Sequence, residues 1–166
     1  MKRILFVCTG NTCRSCMAEG IFKDLIEKDV SARDSFTAAS AGLTAFDGDN
    51  ASENAIRALK DEWAIDIGCH RARRLNEREI KEADLVLTMT RNHKDSILSV
   101  LPEAKSKVFT LKEYVYSKGN DPAMREYNYA LDILDPYGMP LNVYKKCARD
   151  LRETIGHLIK KLKESS

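Results

Sequence analysis

No apolar run in the chain approaches the ~18 residues a membrane-spanning helix needs. After Met1-Lys2-Arg3 only Ile4 to Val7 are apolar before Cys8, short of the ~7 to 15 residues of a secretory signal core. A dominant charge is missing as well. Twenty-seven Lys and Arg against 25 Asp and Glu leave a net charge of +2, too little to draw nucleic acid or an anionic membrane by bulk attraction. Any bound anion must therefore be held by a local site. Five cysteines, an odd number with no export signal, argue against a disulfide framework and for a reducing, cytoplasmic setting with free thiols. Internal repeats, low-complexity tracts and linkers are absent. What remains, 166 residues with 43% apolar and 31% charged, has the size and balance of one globular domain, 1–166.

Short Val-, Ile-, Leu- and Phe-rich segments alternate with longer stretches of helical period, the pattern of a parallel sheet wrapped by helices, and so an α/β class. Strands are expected at Arg3 to Val7, Thr37 to Ala41, Leu85 to Met89 and Val108 to Thr110, giving a small four-stranded open sheet. Met17, Ile21 and Leu25 recur at helical spacing, predicting a first helix from near Ser15 to about Glu27. Ser52 to Trp63 reads as a second, with Ser52 as its cap. Glu77 to Glu82 and His93 to Val100 read as shorter ones, the latter stopped by Pro102. Tyr144, Cys147, Leu151, Ile155, Leu158 and Leu162 draw one stripe along a last helix from about Asn142 to Lys163. Residues 144–166 hold seven Lys or Arg against three acids, expected to complement the negative end of that helix on a solvated face. The stretches 42–51 and 116–140 have weak structure signals. They are expected to frame a site beyond the carboxyl ends of the strands.

Between the first strand and the first helix lies Cys8-Thr9-Gly10-Asn11-Thr12-Cys13-Arg14-Ser15. A tight loop entering a helix N-terminus aims several unpaired backbone N–H groups and the positive end of the helix dipole at one spot, a seat for a phosphate-like dianion. Gly10 and Asn11 tolerate the left-handed backbone so tight a curl requires. A cysteine at the mouth of such a cradle has its thiolate stabilised by the same donors, making Cys8 a candidate nucleophile. Arg14 can return a planar guanidinium to grip two phosphoryl oxygens, which lysine cannot do. Ser15 either hydrogen-bonds the thiolate or caps the helix, and the two are compatible. The bare C-x5-R spacing is weak, expected by chance roughly 0.4 times in a chain of this composition. Its place at a strand-to-helix junction is what makes it specific.

C-T-G-N-T-C-R-S, followed by Met17-Ala18-Glu19, Ser40-Ala41-Gly42 and Asp135-Pro136-Tyr137-Gly138, resembles the low molecular weight protein-tyrosine phosphatase family, in order and over essentially the whole chain. The resemblance implies a four-stranded parallel sheet with helices on both faces, and hydrolysis of phosphorylated proteins through a phosphocysteine with no cofactor or metal. It implies Cys8 as nucleophile, Arg14 as phosphate clamp and Asp135 as general acid. Backbone donors would come from Thr9, Gly10, Asn11, Thr12, Cys13 and Arg14, with Asn11 and Ser15 shaping the loop and supporting the thiolate. It also marks Cys13 as a partner for a protective disulfide with the nucleophile. Expelling an alkoxide, phenolate or amide-like leaving group independently calls for an acid, worth ~10² to 10⁴ in rate. Asp121 and Asp135 both precede proline, and Asp135 is favoured by Tyr137 and Gly138 behind it. Asp121 falls in an expected insertion near 117–132.

The family usually has proline where Cys16 stands, at a helix first turn that suits it. Cys16 also forms C-x-x-C with Cys13, which raises a redox module as one alternative, while His70, His93 and His157 show no metal-ligand spacing. His70 is either placed as a family histidine that steadies the loop or is a plain surface histidine, two readings the sequence leaves equal. Cys147 reads as core. Thr12, where tyrosine-specific members often have a bulkier aliphatic residue, slightly favours phosphoarginine over phosphotyrosine, and Tyr137 can stack on either flat group. Two further alternatives are a thioredoxin-coupled arsenate reductase, which needs two more neighbouring cysteines, and a non-enzymatic phosphoprotein-binding module. The chain is expected to work as a monomer.

Overall fold

The computed structural model describes residues 1–117 and 131–166. Asp121, Tyr127, Tyr129 and most of the expected 117–132 insertion lie outside the described residues. Strands β1 (Lys2–Cys8), β2 (Phe36–Gly42), β3 (Leu85–Thr88) and β4 (Val108–Thr110) form one parallel sheet in the order β2-β1-β3-β4. The expected α/β class and four parallel strands are therefore what the chain adopts. Alternation along β1 divides the interior in two. Ile4, Phe6 and Cys8 face a layer built by α1 (Arg14–Lys28), α2 (Glu53–Trp63), α5 (Leu111–Tyr116) and α6 (Leu141–Glu164). Leu5 and Val7 face α3 (Glu77–Glu82), α4 (Arg91–Val100) and a 3₁₀ turn at Pro102–Ser106. Both faces of β1 are covered, which is why its run is continuously apolar. Each fully buried Ile, Leu or Phe on it contributes roughly 1.5–3 kcal/mol.

Helix ends follow local chemistry. Ser52 caps α2 by accepting from Ala55 N at 3.3 Å, and Asn76 and Thr90 cap α3 and α4 in the same way. α5 is absent from the sequence expectations, although Thr110 and Glu113 form a reciprocal capping box, a signature legible in T-L-K-E. α1 corrects another expectation. It begins at Arg14 with Cys13 in the cap position and no side-chain cap, so Ser15 lies inside the first turn and its hydroxyl is free for other work.

Parallel pairing carries β1 from β2 on one side to β3 on the other. The chain thus reverses direction across the sheet at the carboxyl end of β1, the kind of crevice where α/β sheets bind ligands. The ladder aligns Cys8 with Gly42, and Leu43 N and Thr44 N extend it by donating to Cys8 O and Thr9 O at 2.9 and 3.0 Å. No helix among the described residues is long and apolar enough to cross a membrane.

Candidate active site

Residues 8–14 curl between β1 and α1 and put Cys8, Thr9, Gly10, Thr12, Cys13 and Arg14 on the wall of a cavity of about 310 Å³. The rest of its lining comes from the loop after β2 (Thr44, Ala45, Phe46, Asp49) and the segment before α6 (Asp135, Tyr137). Both weakly structured stretches therefore frame the cavity, as far as the second is described. Tyr137 and Phe46 stand at its rim, 74% and 77% exposed. A larger polar depression of about 750 Å³ on another side of α1 reaches Cys16, Glu19 and Ser40, but not Cys8 or Arg14.

Asn11 is the hub of the loop. Its φ of +56° is left-handed, and four contacts hold it there. Arg73 N donates to its Oδ1 at 2.9 Å, and His70 Nε2 meets its backbone oxygen at 2.7 Å. Its Nδ2 donates to Ser15 Oγ at 2.8 Å and to Ser40 Oγ at 2.9 Å, and Ser40 in turn donates to Glu19. Because Ser15 Oγ accepts from the amide, its own proton is available to Cys8 Sγ, 2.9 Å away. Asn11 N adds a second donor to the sulfur at 3.3 Å. Gly42 is required by close approach, since a Cβ there would lie 2.6 Å from Thr9 O and 2.8 Å from Asn11 N.

Arg14 is 5% exposed, with Nη1 donating to Ile133 O at 3.1 Å and Nη2 paired with Asp135 Oδ2 at 3.3 Å. Asp135 Oδ1 accepts from Tyr137 N at 3.1 Å, closing a turn that fixes the carboxylate over the cradle. Thus Cys8, Arg14 and Asp135 share one cavity, and His70 supports the loop at Asn11. Cys13 Sγ contacts Ser52 Oγ and Tyr144 Oη, each at 3.4 Å. Burial, with the bond to Cys13 second, pushes the Tyr144 phenol up to about 12. Cys16 Sγ instead donates to Cys13 O at 3.2 Å, and burial raises its thiol well above the usual range, with Cys8 and Cys13 adding to the effect. All five cysteines are free thiols, and Cys147 is buried in the α6 core as expected.

Sequence reasoning missed Ser40, Glu19 and Arg73 as supports of the loop, and it missed His93. His93 Nε2 lies 2.9 Å from Thr9 Oγ1. Burial first, and then the Arg14 charge, hold its imidazolium down to about 4, so the ring is neutral near pH 7. The signal for Arg73 and His93 is tertiary, because the sheet register and α4 bring them to the loop.

An α/β sheet carrying a thiol over an anion cradle, with an arginine and a carboxylate converging on it, defines a phosphate-handling cysteine enzyme of the C-x5-R kind. Comparison with known proteins agrees. The family model for low molecular weight phosphotyrosine protein phosphatase matches residues 3–166. The chain is 39% identical over 165 residues to the protein-arginine-phosphatase of Bacillus subtilis, covering 97% of each chain. Among solved structures, a low molecular weight protein tyrosine phosphatase from T. tengcongensis superposes with a TM-score of 0.84 at 47% identity, covering 97% of this chain and 99% of that one. A YwlE arginine phosphatase whose active-site cysteine is replaced by a phosphorylated serine superposes with a TM-score of 0.82 at 39% identity, over 97% and 95%. The chain belongs to the low molecular weight phosphotyrosine protein phosphatase family.

Proposed function

We propose that the protein hydrolyses phosphoarginine on proteins, with Cys8 as nucleophile, Arg14 as clamp and Asp135 as general acid and then base. The observation that carries this reading is the arrangement at Cys8: sulfur taking donors from Ser15 Oγ and Asn11 N, beside an Arg14–Asp135 pair in one cavity. The thiolate attacks phosphorus as the P–N bond breaks, and Asp135 gives its proton to the departing guanidine nitrogen. Arg14 and the N–H groups of residues 9–14 take the charge on the equatorial oxygens. The Asp135 carboxylate then accepts a proton from water as that water displaces sulfur, releasing inorganic phosphate and returning the thiolate. Cys13, next to the cradle, is the partner for a disulfide that spares the nucleophile from over-oxidation. Peroxide inhibition should therefore reverse with thiol.

Phosphoarginine is favoured by the small hydroxyl of Thr12 on the cavity wall and by relatives named as protein-arginine phosphatases. Phosphotyrosine is the second reading, supported by the 47% identical structure that carries a tyrosine phosphatase name. Both flat groups can lie against Tyr137. The test is hydrolysis of p-nitrophenyl phosphate in excess chelator. Cys8→Ser should abolish it and Asp135→Asn should slow it, whereas activity that needs metal would contradict the reading. Competing phosphoarginine and phosphotyrosine peptides then fix the preference, and Thr12→Ile should move it toward phosphotyrosine.

A further inference from the structure

We propose that His93 is a positioning residue that orients the Thr9 hydroxyl, so that Thr9 donates its proton to an oxygen of the bound phosphoryl group. The two ring nitrogens have different surroundings. Nε2 lies 2.9 Å from Thr9 Oγ1, while Nδ1 is buried with no hydrogen-bond partner among the described residues. The side chain sits on the third residue of α4, 6% exposed. Burial is the largest influence on the ring, and the Arg14 charge adds to it in disfavouring the imidazolium, while Asp132 and Asp135 act in the opposite sense.

A neutral imidazole carries one proton. On Nδ1 that proton would be a buried donor with nothing to accept it, the costly and rare case. On Nε2 it has Thr9 Oγ1 in reach, and only a bare lone pair is left buried. Nε2–H therefore donates to Thr9. The Thr9 oxygen, now an acceptor, has its own proton free, and the residue lines the cavity beside Cys8 and Arg14. The reverse arrangement would turn Thr9 lone pairs toward an incoming dianion. The ring thus adds one side-chain donor to the backbone donors of the loop. The identity of the anion rests on the phosphatase reading, but the tautomer does not.

Two measurements test this. The ¹⁵N resonances of His93 in the intact protein should show Nε2 protonated and Nδ1 bare at pH 7; an Nδ1–H tautomer or an imidazolium would overturn the proposal. In kinetics, Thr9→Val and His93→Leu should each weaken inhibition by inorganic phosphate and lower kcat/KM for p-nitrophenyl phosphate by roughly tenfold. The double variant should fall within about twofold of Thr9→Val, because both remove the same donor. His93→Gln, whose amide can replace the Nε2 donor, should recover most of the loss and covers the case in which leucine perturbs folding. Additive losses, or unchanged phosphate inhibition in Thr9→Val, would contradict it. Wild-type protein with no p-nitrophenyl phosphate hydrolysis, or full activity in Cys8→Ser, would defeat the Cys8 phosphatase reading instead, and would leave the tautomer result standing.

Discussion

Ser15 shows how one hydroxyl is given a direction. The Asn11 amide fills its oxygen from one side, so the proton goes to Cys8 Sγ. Hydrogen bonds to a charged acceptor are worth roughly 1.5–3 kcal/mol, so Ser15→Ala should lower kcat about ten- to a hundredfold. KM should change little, since the anion's backbone donors remain. Steady-state kinetics on p-nitrophenyl phosphate check this, and an unchanged kcat would remove Ser15 from the account. His93 makes a second prediction, for stability. Its folded value of about 4 lies below the ordinary 6.5, so between those two pH values the unfolded chain binds the extra proton. Stability from this group is full above about pH 6.5, is lost as pH falls to about 4, and amounts to on the order of 3 kcal/mol. Urea unfolding at pH 7 and pH 4.5 should show the loss in the wild type and a smaller one in His93→Gln. Asp29, lowered from 3.8 to about 2 by Lys163 and Ser31, loses its contribution below that window and does not confuse the comparison.

At the scale of elements, the cradle depends on how closely β2 approaches it. Gly42→Ala would push a methyl into Thr9 O and Asn11 N, which are backbone atoms of the loop itself. The expected outcome is a stability loss of about 1–3 kcal/mol with a disproportionate loss of turnover, read from thermal unfolding and activity side by side. A variant with full activity would mean the loop does not need that register. The last helix departs from its sequence reading in an instructive way. Lys161 and Lys163 do stand in its final turn, but its cations also reach across to other elements. Lys145 pairs with Asp61, Arg149 with Glu62, Arg152 with Asp24, and Lys163 with Asp29. Arg152 further lies over the Trp63 ring at 4.6 Å. Surface pairs of this kind contribute little each; they bridge α6 to α1 and α2 around the buried apolar stripe that packs it there.

For the molecule as a whole, what could be read from the chain is what is local. The four strands and α1, α2 and α6 are legible because apolar spacing alone marks them, and Cys8, Asn11, Arg14 and Ser15 are legible because the cradle is eight consecutive residues. Asp135 is less so: the chemistry asks for an acid, but the resemblance and its place just before the last helix are what separate it from Asp121. Ser40, Arg73 and His93 could not be found that way. Their positions at the loop follow from parallel register between β1 and β2 and from the crossing to β3 and α4, which no short window of sequence contains. The sulfur at the tip of β1 is the point on which every role in the site depends. It is tested most directly by mixing Asp135→Asn with p-nitrophenyl phosphate, whose leaving group needs little acid, quenching in denaturant at alkaline pH, and mapping phosphoryl mass on peptides. The account predicts one phosphoryl group on the peptide carrying Cys8, absent in Cys8→Ala; nitrophenol release with the label elsewhere, or a label unchanged after Cys8→Ala, would contradict it.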